Sequence, residues 1–178
     1  MKRTLQLVFA GLLLLPLLAS AHGPTPVKLI KEIEVNAPPE KVWGIIGDFC
    51  AIEKWHPAVY KCESTDGNNK DSMRTLTLEK EGGPVIKEQL VVWDAEKMKY
   101  KYRIKERPIE VLPVNSYLSE ISVRPDGKGG SIVKWWGRFY RGWMQNDPPP
   151  ELNEEAAKKA VGGIYDAGLA NIKKLAEQ

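Results

Sequence analysis

The run NSYLSEISVRPDGKGGSIVKWWGRFYRGW, residues 115–143, decides how this chain folds. It holds two alternating stretches on either side of an Asp126-Gly127 pair. Successive side chains of a strand point to opposite faces, and Asp-Gly between two such runs signals a hairpin. The spacing predicts strands over 116–123 and 131–140. Tyr117, Ser119, Ile121 and Val123 share one face of the first. Trp135, Gly137 and Phe139 share one face of the second, while Trp136, Arg138 and Tyr140 share the other.

The same alternation continues upstream. Segments 27–35, 59–65, 73–78, 85–93 and 100–105 read as strands, interrupted by Asp66-Gly67-Asn68-Asn69 and Glu81-Gly82-Gly83-Pro84. In KYKYRIKER (99–107), Tyr100, Tyr102 and Ile104 face inward and the basic residues outward; in IKEQLVVW (86–93), Glu88, Leu90 and Val92 share a face. Ala37-Pro38-Pro39-Glu40 opens a short helix with Val42, Trp43, Ile45, Ile46 and Phe49 on its apolar side. Residues 50–55 add a helical turn that Pro57 ends. Beyond Asp147 and three prolines, 154–177 reads as one long helix. The order is strand, two short helices, six strands, long helix. That is an α+β, helix-grip pattern: a seven-stranded antiparallel sheet curled around a long C-terminal helix. The helix carries Gly162, Gly163, Ala167, Gly168 and Ala170. Such small residues imply either close backbone approach or room left for a guest.

The N-terminus predicts export. Lys2 and Arg3 precede an apolar run from Leu5 to Leu18, and Ala19-Ser20-Ala21 follows. This is the pattern of a cleaved signal peptide over 1–21, too short to span a membrane with these flanks. An extended tail over 22–26 and a domain over 27–178 would follow, in the bacterial periplasm. Cleavage after Ala21 leaves 157 of the 178 residues, and removing Lys2 and Arg3 from the 26 basic residues leaves 24 against 23 acidic ones. So balanced a chain offers little to a nucleic acid, and no later stretch is apolar enough for a membrane span. Export permits a disulfide. Cys50 and Cys62 are the only cysteines; they form one bridge or remain two buried thiols.

The inward faces are mostly apolar with a few polar groups, which is the make-up of a small-molecule pocket. The candidate lining is His56, Glu88, Tyr102, Tyr117, Ser119, Trp135 and Phe139, with Ala167 and Asn171 from the long helix. A packed core is the competing reading. His56 lies in KWHPAV (54–59), between the two cysteines. It could ligate a metal with Cys50 and Cys62, but that set lacks the close Cys pair of structural zinc, and no metal or cofactor is expected. It could act as an acid–base pair with Glu88, assisted by Tyr117, in a cyclase- or dehydratase-like enzyme. It could equally be a pocket wall with both nitrogens satisfied. His22, the first residue after cleavage, could chelate copper through its amine and imidazole or be a solvated tail residue. Outside, Trp136, Arg138 and Tyr140 are residue types enriched at interface hot spots, unless neighbouring lysine stems cover them.

The stretches APPEKVWGIIGDF (37–49), KWHPAV (54–59), KEQLVVWD (87–94), PVNSYLSEISV (113–123) and WWGRFYRG (135–142), with the terminal helix, resemble the START-like helix-grip superfamily. That superfamily includes polyketide cyclase/dehydrase proteins and plant abscisic acid receptors. By similarity to the receptors, His56 stands where a cavity lysine would be, while Glu88, Tyr117 and Ser119 match cavity positions. Gly82-Gly83-Pro84 falls at the gate loop and Arg107-Pro108 near the latch. The AHGPTP, KWHPAV and PPPELNEEAAKKAV segments further resemble MxaD-type proteins, periplasmic accessories of bacterial methanol oxidation. That resemblance implies a non-enzymatic role between methanol dehydrogenase and its cytochrome c partner. A small hydrophobic ligand carried in the cavity is the alternative.

Overall fold

The computed structural model describes residues 23–178. The expected signal peptide, its cleavage point and His22 lie outside the described residues. The strands are β1 (Val27–Val35), β2 (Val59–Ser64), β3 (Met73–Leu78), β4 (Val85–Asp94), β5 (Lys99–Ile104), β6 (Val114–Pro125) and β7 (Ser131–Arg141). The helices are α1 (Pro39–Ile46), α2 (Ile52–Trp55) and α3 (Glu154–Ala176). All seven strands form one antiparallel sheet in the order β1-β7-β6-β5-β4-β3-β2. The α+β helix-grip expectation is borne out, with a 3-10 turn at Pro150–Leu152 added before α3.

Local chemistry sets the helix ends. Pro39 occupies the first turn of α1, where its missing N–H would be unused. Asn153 caps α3 by accepting the Ala156 N–H at 2.8 Å. Glu154 and Glu155 in the first turn and Lys173 and Lys174 in the last complement the helix dipole. α3 buries Ala157, Val161, Tyr165, Leu169 and Ile172 against β1, β7 and α1.

The sheet curls through three register shifts, at Val59/Lys61, Leu90/Val92 and Asn115/Leu118. The shift in β4 corrects one expectation. Leu90 pairs with Tyr102 but Val92 pairs with Lys101, so Val91 is an extra residue and the alternation changes phase. Val92 is 40% exposed rather than inside. Trp93 turns inward instead, near Trp43 at 6.2 Å between centroids, and donates to the Gly47 carbonyl at 2.7 Å.

The small residues of α3 also read differently in three dimensions. A Cβ at Gly168 would lie 2.7 Å from Trp135 and 2.8 Å from His56. Gly163, Ala167 and Ala170 are exposed. The helix leaves no room for a guest along this line; Gly168 is there because two aromatic rings press on its backbone.

Candidate functional site

A cavity of about 330 Å³ opens at the end of the grip away from most of α3. Its walls come from the α2–β2 turn, from β3 and β4, from the loop holding Glu110, Val111 and Leu112, and from the inner faces of β5, β6 and β7. Leu76, Leu78, Ile86 and Ile104 make it apolar, and Glu79, Pro84 and Glu110 also border it. The turn before Pro84 needs a left-handed residue, supplied by Gly82 at φ 70°.

His56 lines this cavity and is buried. Its Nδ1 accepts the Ala58 N–H at 3.2 Å. Its Nε2 lies 3.0 Å from the Ile164 carbonyl, an acceptor, so Nε2 carries the proton and donates. The two backbone groups fix one neutral tautomer. Burial lowers the imidazole pKa below its ordinary value; the Ile164 carbonyl opposes this and the Arg74 charge adds to it. Neither ring nitrogen is free to exchange a proton with a cavity guest.

Glu88 also lines the cavity, but it is not alone. Arg74, directly opposite it in the β3–β4 register, is buried with it. Glu88 Oε2 accepts from Arg74 Nε at 2.6 Å, and Arg74 Nη2 sits 2.6 Å from the same oxygen in an ionic contact off the hydrogen-bond line. Nη1 donates to the Phe49 carbonyl. The guanidinium lies 4.1 Å from the Phe49 ring centroid and 4.9 Å from that of Tyr102. Burial pushes the Glu88 carboxyl up and Arg74 pulls it down, with a net rise. For Arg74, burial opposes the charge, but Glu88 and the neighbouring phenols hold the guanidinium protonated. Arg74 was not among the sequence candidates. Alternation in MRTLTL places it with Leu76 and Leu78 on the inner face, and that signal would have found it.

A polar cluster runs from the cavity wall into the core. Ser119 Oγ donates to the Trp136 carbonyl at 2.7 Å and accepts from Trp135 Nε1 at 3.0 Å. Tyr165 OH lies 2.9 Å from Ser119 Oγ, and Tyr117 OH lies 2.7 Å from Tyr165 OH. Trp135 Nε1 is shared with Tyr102 OH at 3.1 Å. Burial raises the pKa of Tyr102, Tyr117 and Tyr165, and brings Tyr100 up to about 12, so these phenols stay protonated.

Of the candidate ligand residues, the structure brings His56, Glu88, Tyr102, Tyr117 and Trp135 to the cavity wall. The other four are elsewhere. Ser119 is fully buried in the polar cluster. Phe139 is core, 6.0 Å from Tyr117 in a stacked pair. Ala167 is exposed on the outer side of α3. Asn171 donates to the Trp55 carbonyl at 2.8 Å, satisfying the end of α2. Inward facing, by which Ser119 and Phe139 were assigned along with resemblance for Ser119, does not say how deep in the grip a residue lies.

Cys50 and Cys62 are disulfide-bonded, with their Cα atoms 5.6 Å apart. Bridged sulfurs cannot hold a metal with His56, and among the described residues no group of three acidic, His or Cys side chains is placed to do so. Outside, the Trp136 ring has Lys101 Nζ at 5.4 Å and Lys28 Nζ at 5.9 Å from its centroid, and its Nε1 donates to Glu120 at 3.1 Å. Arg138 is exposed, and Tyr140 is half-buried.

A curled sheet gripping a long helix, with a hollow at one end, defines the helix-grip class. The chain belongs to the polyketide cyclase/dehydrase and lipid transport family, whose model matches residues 26–177. It is 33% identical over 135 residues to MLP-like protein 423 of Arabidopsis thaliana, covering 71% of this chain and 84% of that protein. The solved structure of XoxI from Bacillus cereus shares 29% identity and a TM-score of 0.70, covering 84% of this chain and 94% of that one. Norcoclaurine synthase from Thalictrum flavum, in complex with dopamine and hydroxybenzaldehyde, shares the fold at 20% identity and TM-score 0.64, over 98% and 96% of the two chains. No helix among the described residues is long and apolar enough to cross a membrane.

Proposed function

We propose that this is an exported, periplasmic binding protein that holds a small, mostly apolar molecule in its cavity and serves as a non-enzymatic accessory of methanol oxidation. The observation that carries the binding half is the hollow itself, beside acid–base side chains already committed elsewhere. His56 is held on both nitrogens by backbone groups, and Glu88 is held by Arg74. This disfavours a cyclase-like reaction run by that pair. The accessory half is supported by the MxaD-like segments and by the similarity to XoxI. The exposed Arg138, with Trp136 and Tyr140 beside it, is the surface we assign to methanol dehydrogenase or its cytochrome c.

Two experiments test the two halves separately. Native mass spectrometry of protein purified from its own host should show an adduct released by denaturation. A gene deletion should slow methanol-dependent respiration, with rescue by the wild type but weaker rescue by a Trp136→Ala, Arg138→Ala double variant. Unchanged respiration in the deletion strain refutes the accessory role and leaves the cavity reading standing. Turnover of an offered substrate that disappears in a folded His56→Ala protein would instead restore the enzyme reading.

A further inference from the structure

The hydrogen bonds behind the cavity run in a fixed direction, and that direction selects a ligand. Ser119 has one hydroxyl proton, and the Trp136 carbonyl takes it. In the Tyr165–Ser119 contact the donor must therefore be Tyr165. In the Tyr117–Tyr165 contact the donor must then be Tyr117, because the Tyr165 proton is already used. Tyr117 thus meets the cavity with acceptor lone pairs only. Tyr102 is the opposite case. Its oxygen accepts from Trp135 Nε1, and the Ser119 hydroxyl beside it already accepts from Trp135 and Tyr165, so the Tyr102 O–H finds no free lone pair in the cluster. Both phenols line the cavity. The Glu88 oxygen that does not contact Arg74 is a second acceptor in the same wall.

We infer that the cavity takes a neutral, largely apolar molecule ending in a hydroxyl, which accepts from Tyr102 and donates to Tyr117 or Glu88. This rests on the ligand-binding reading proposed above. A hydroxyl is the smallest group that both gives and takes a hydrogen bond at one atom. A carboxylate can only accept, and it would meet Tyr117, Glu88, Glu79 and Glu110 with no unpaired lysine or arginine in the wall. An ammonium can only donate and would leave the Tyr102 proton unused. A methyl group would leave the Tyr102 proton, the remaining Tyr117 lone pair and the second Glu88 oxygen unused. The volume of about 330 Å³ suits a molecule of one or two rings.

Four probes of similar size decide the matter: p-cresol, toluene, benzoate and benzylamine, each titrated at pH 7.5 into the delipidated protein and followed by amide NMR shifts at the cavity wall. p-Cresol should bind about tenfold tighter than toluene, as one or two hydrogen bonds allow, and benzoate should bind weakest. Tyr102→Phe and Tyr117→Phe should each cut the p-cresol advantage several-fold without changing toluene affinity, and the toluene value shows that each variant keeps its cavity. Toluene binding as tightly as p-cresol, or benzoate or benzylamine binding tightest, overturns the hydroxyl assignment while leaving the cavity a binding site. If none of the four shifts the cavity amides, the ligand-binding reading fails and this inference falls with it.

Discussion

The two ends of the grip treat the same kinds of residue in opposite ways. Toward β1, β7 and α3 the interior is closed: Trp55, Trp135 and Tyr165 are buried ring on ring, Trp135 and Tyr165 stacked at 4.4 Å, and the Gly168 backbone presses on them. Toward β2, β3 and β4, α3 reaches the interior mainly at Ile164, and aliphatic side chains surround an open volume. Periodicity marks both sets of residues as inward. The difference comes from where α3 lies, and a helix 23 residues long reaches only part of a sheet this strongly curled. The hollow is thus a consequence of unequal cover.

Replacing Arg74 with Leu leaves the buried Glu88 without its counter-charge; breaking a buried pair in this way costs roughly 3–5 kcal/mol. Urea unfolding should show that loss, and an Arg74→Leu, Glu88→Leu double variant should recover most of it. An Arg74→Leu protein as stable as the wild type would mean that the pair adds nothing to the hollow end. Reducing the Cys50–Cys62 bridge should cost roughly 2–3 kcal/mol on the loop-closure estimate, read as a lower Tm in dithiothreitol; an unchanged Tm would place β2 among the strands that need no staple.

A matched pair of insertions sharpens the contrast. Gly168→Ala adds a single methyl to the closed end and should cost about 1–3 kcal/mol by overpacking. Ile86→Phe adds more atoms at the hollow end and should cost under about 1 kcal/mol, while blocking p-cresol. Equal costs would mean that the two ends are packed alike. The smallest effect is that of pH. Because burial lowers the His56 pKa in the fold, the unfolded chain takes up its proton near the ordinary value of about 6.5 and the folded chain only at lower pH. This contribution is complete above that value and declines as the pH falls below it. Urea midpoints at pH 7.5 and 5.0 should therefore separate more for the wild type than for His56→Gln.

Much of the architecture was legible in the chain. Alternation in 115–143 gave the β6–β7 hairpin and its inner face, and the long helix read over 154–177, beyond the three prolines, is α3. Alternation failed where the chain does: the extra residue Val91 exchanged Val92 for Trp93. It also says nothing about depth, and so Ser119 and Phe139 joined Tyr102 and Tyr117 in the candidate lining although only the latter pair reaches the cavity. Alternation in 73–78 puts Arg74 on the inner face, but its pairing with Glu88 depends on the β3–β4 register, which alternation does not supply. The gap between the two ends was not legible, since it depends on how far α3 reaches.

The sheet ends in two edge strands, β1 and β2, each paired on one side only. β1 has α3 against it, but β2 has only the brief α2 turn, to which it is tied by Cys50–Cys62 and by the Cys62 N–H donating to Glu53 at 2.8 Å. A free strand edge is a template on which a second molecule can add its own strand. Fastened at that point, β2 is held against the α2 turn and kept from swinging away from the sheet. A reducing environment should therefore reveal itself first as oligomers joined edge to edge, before any loss of the core.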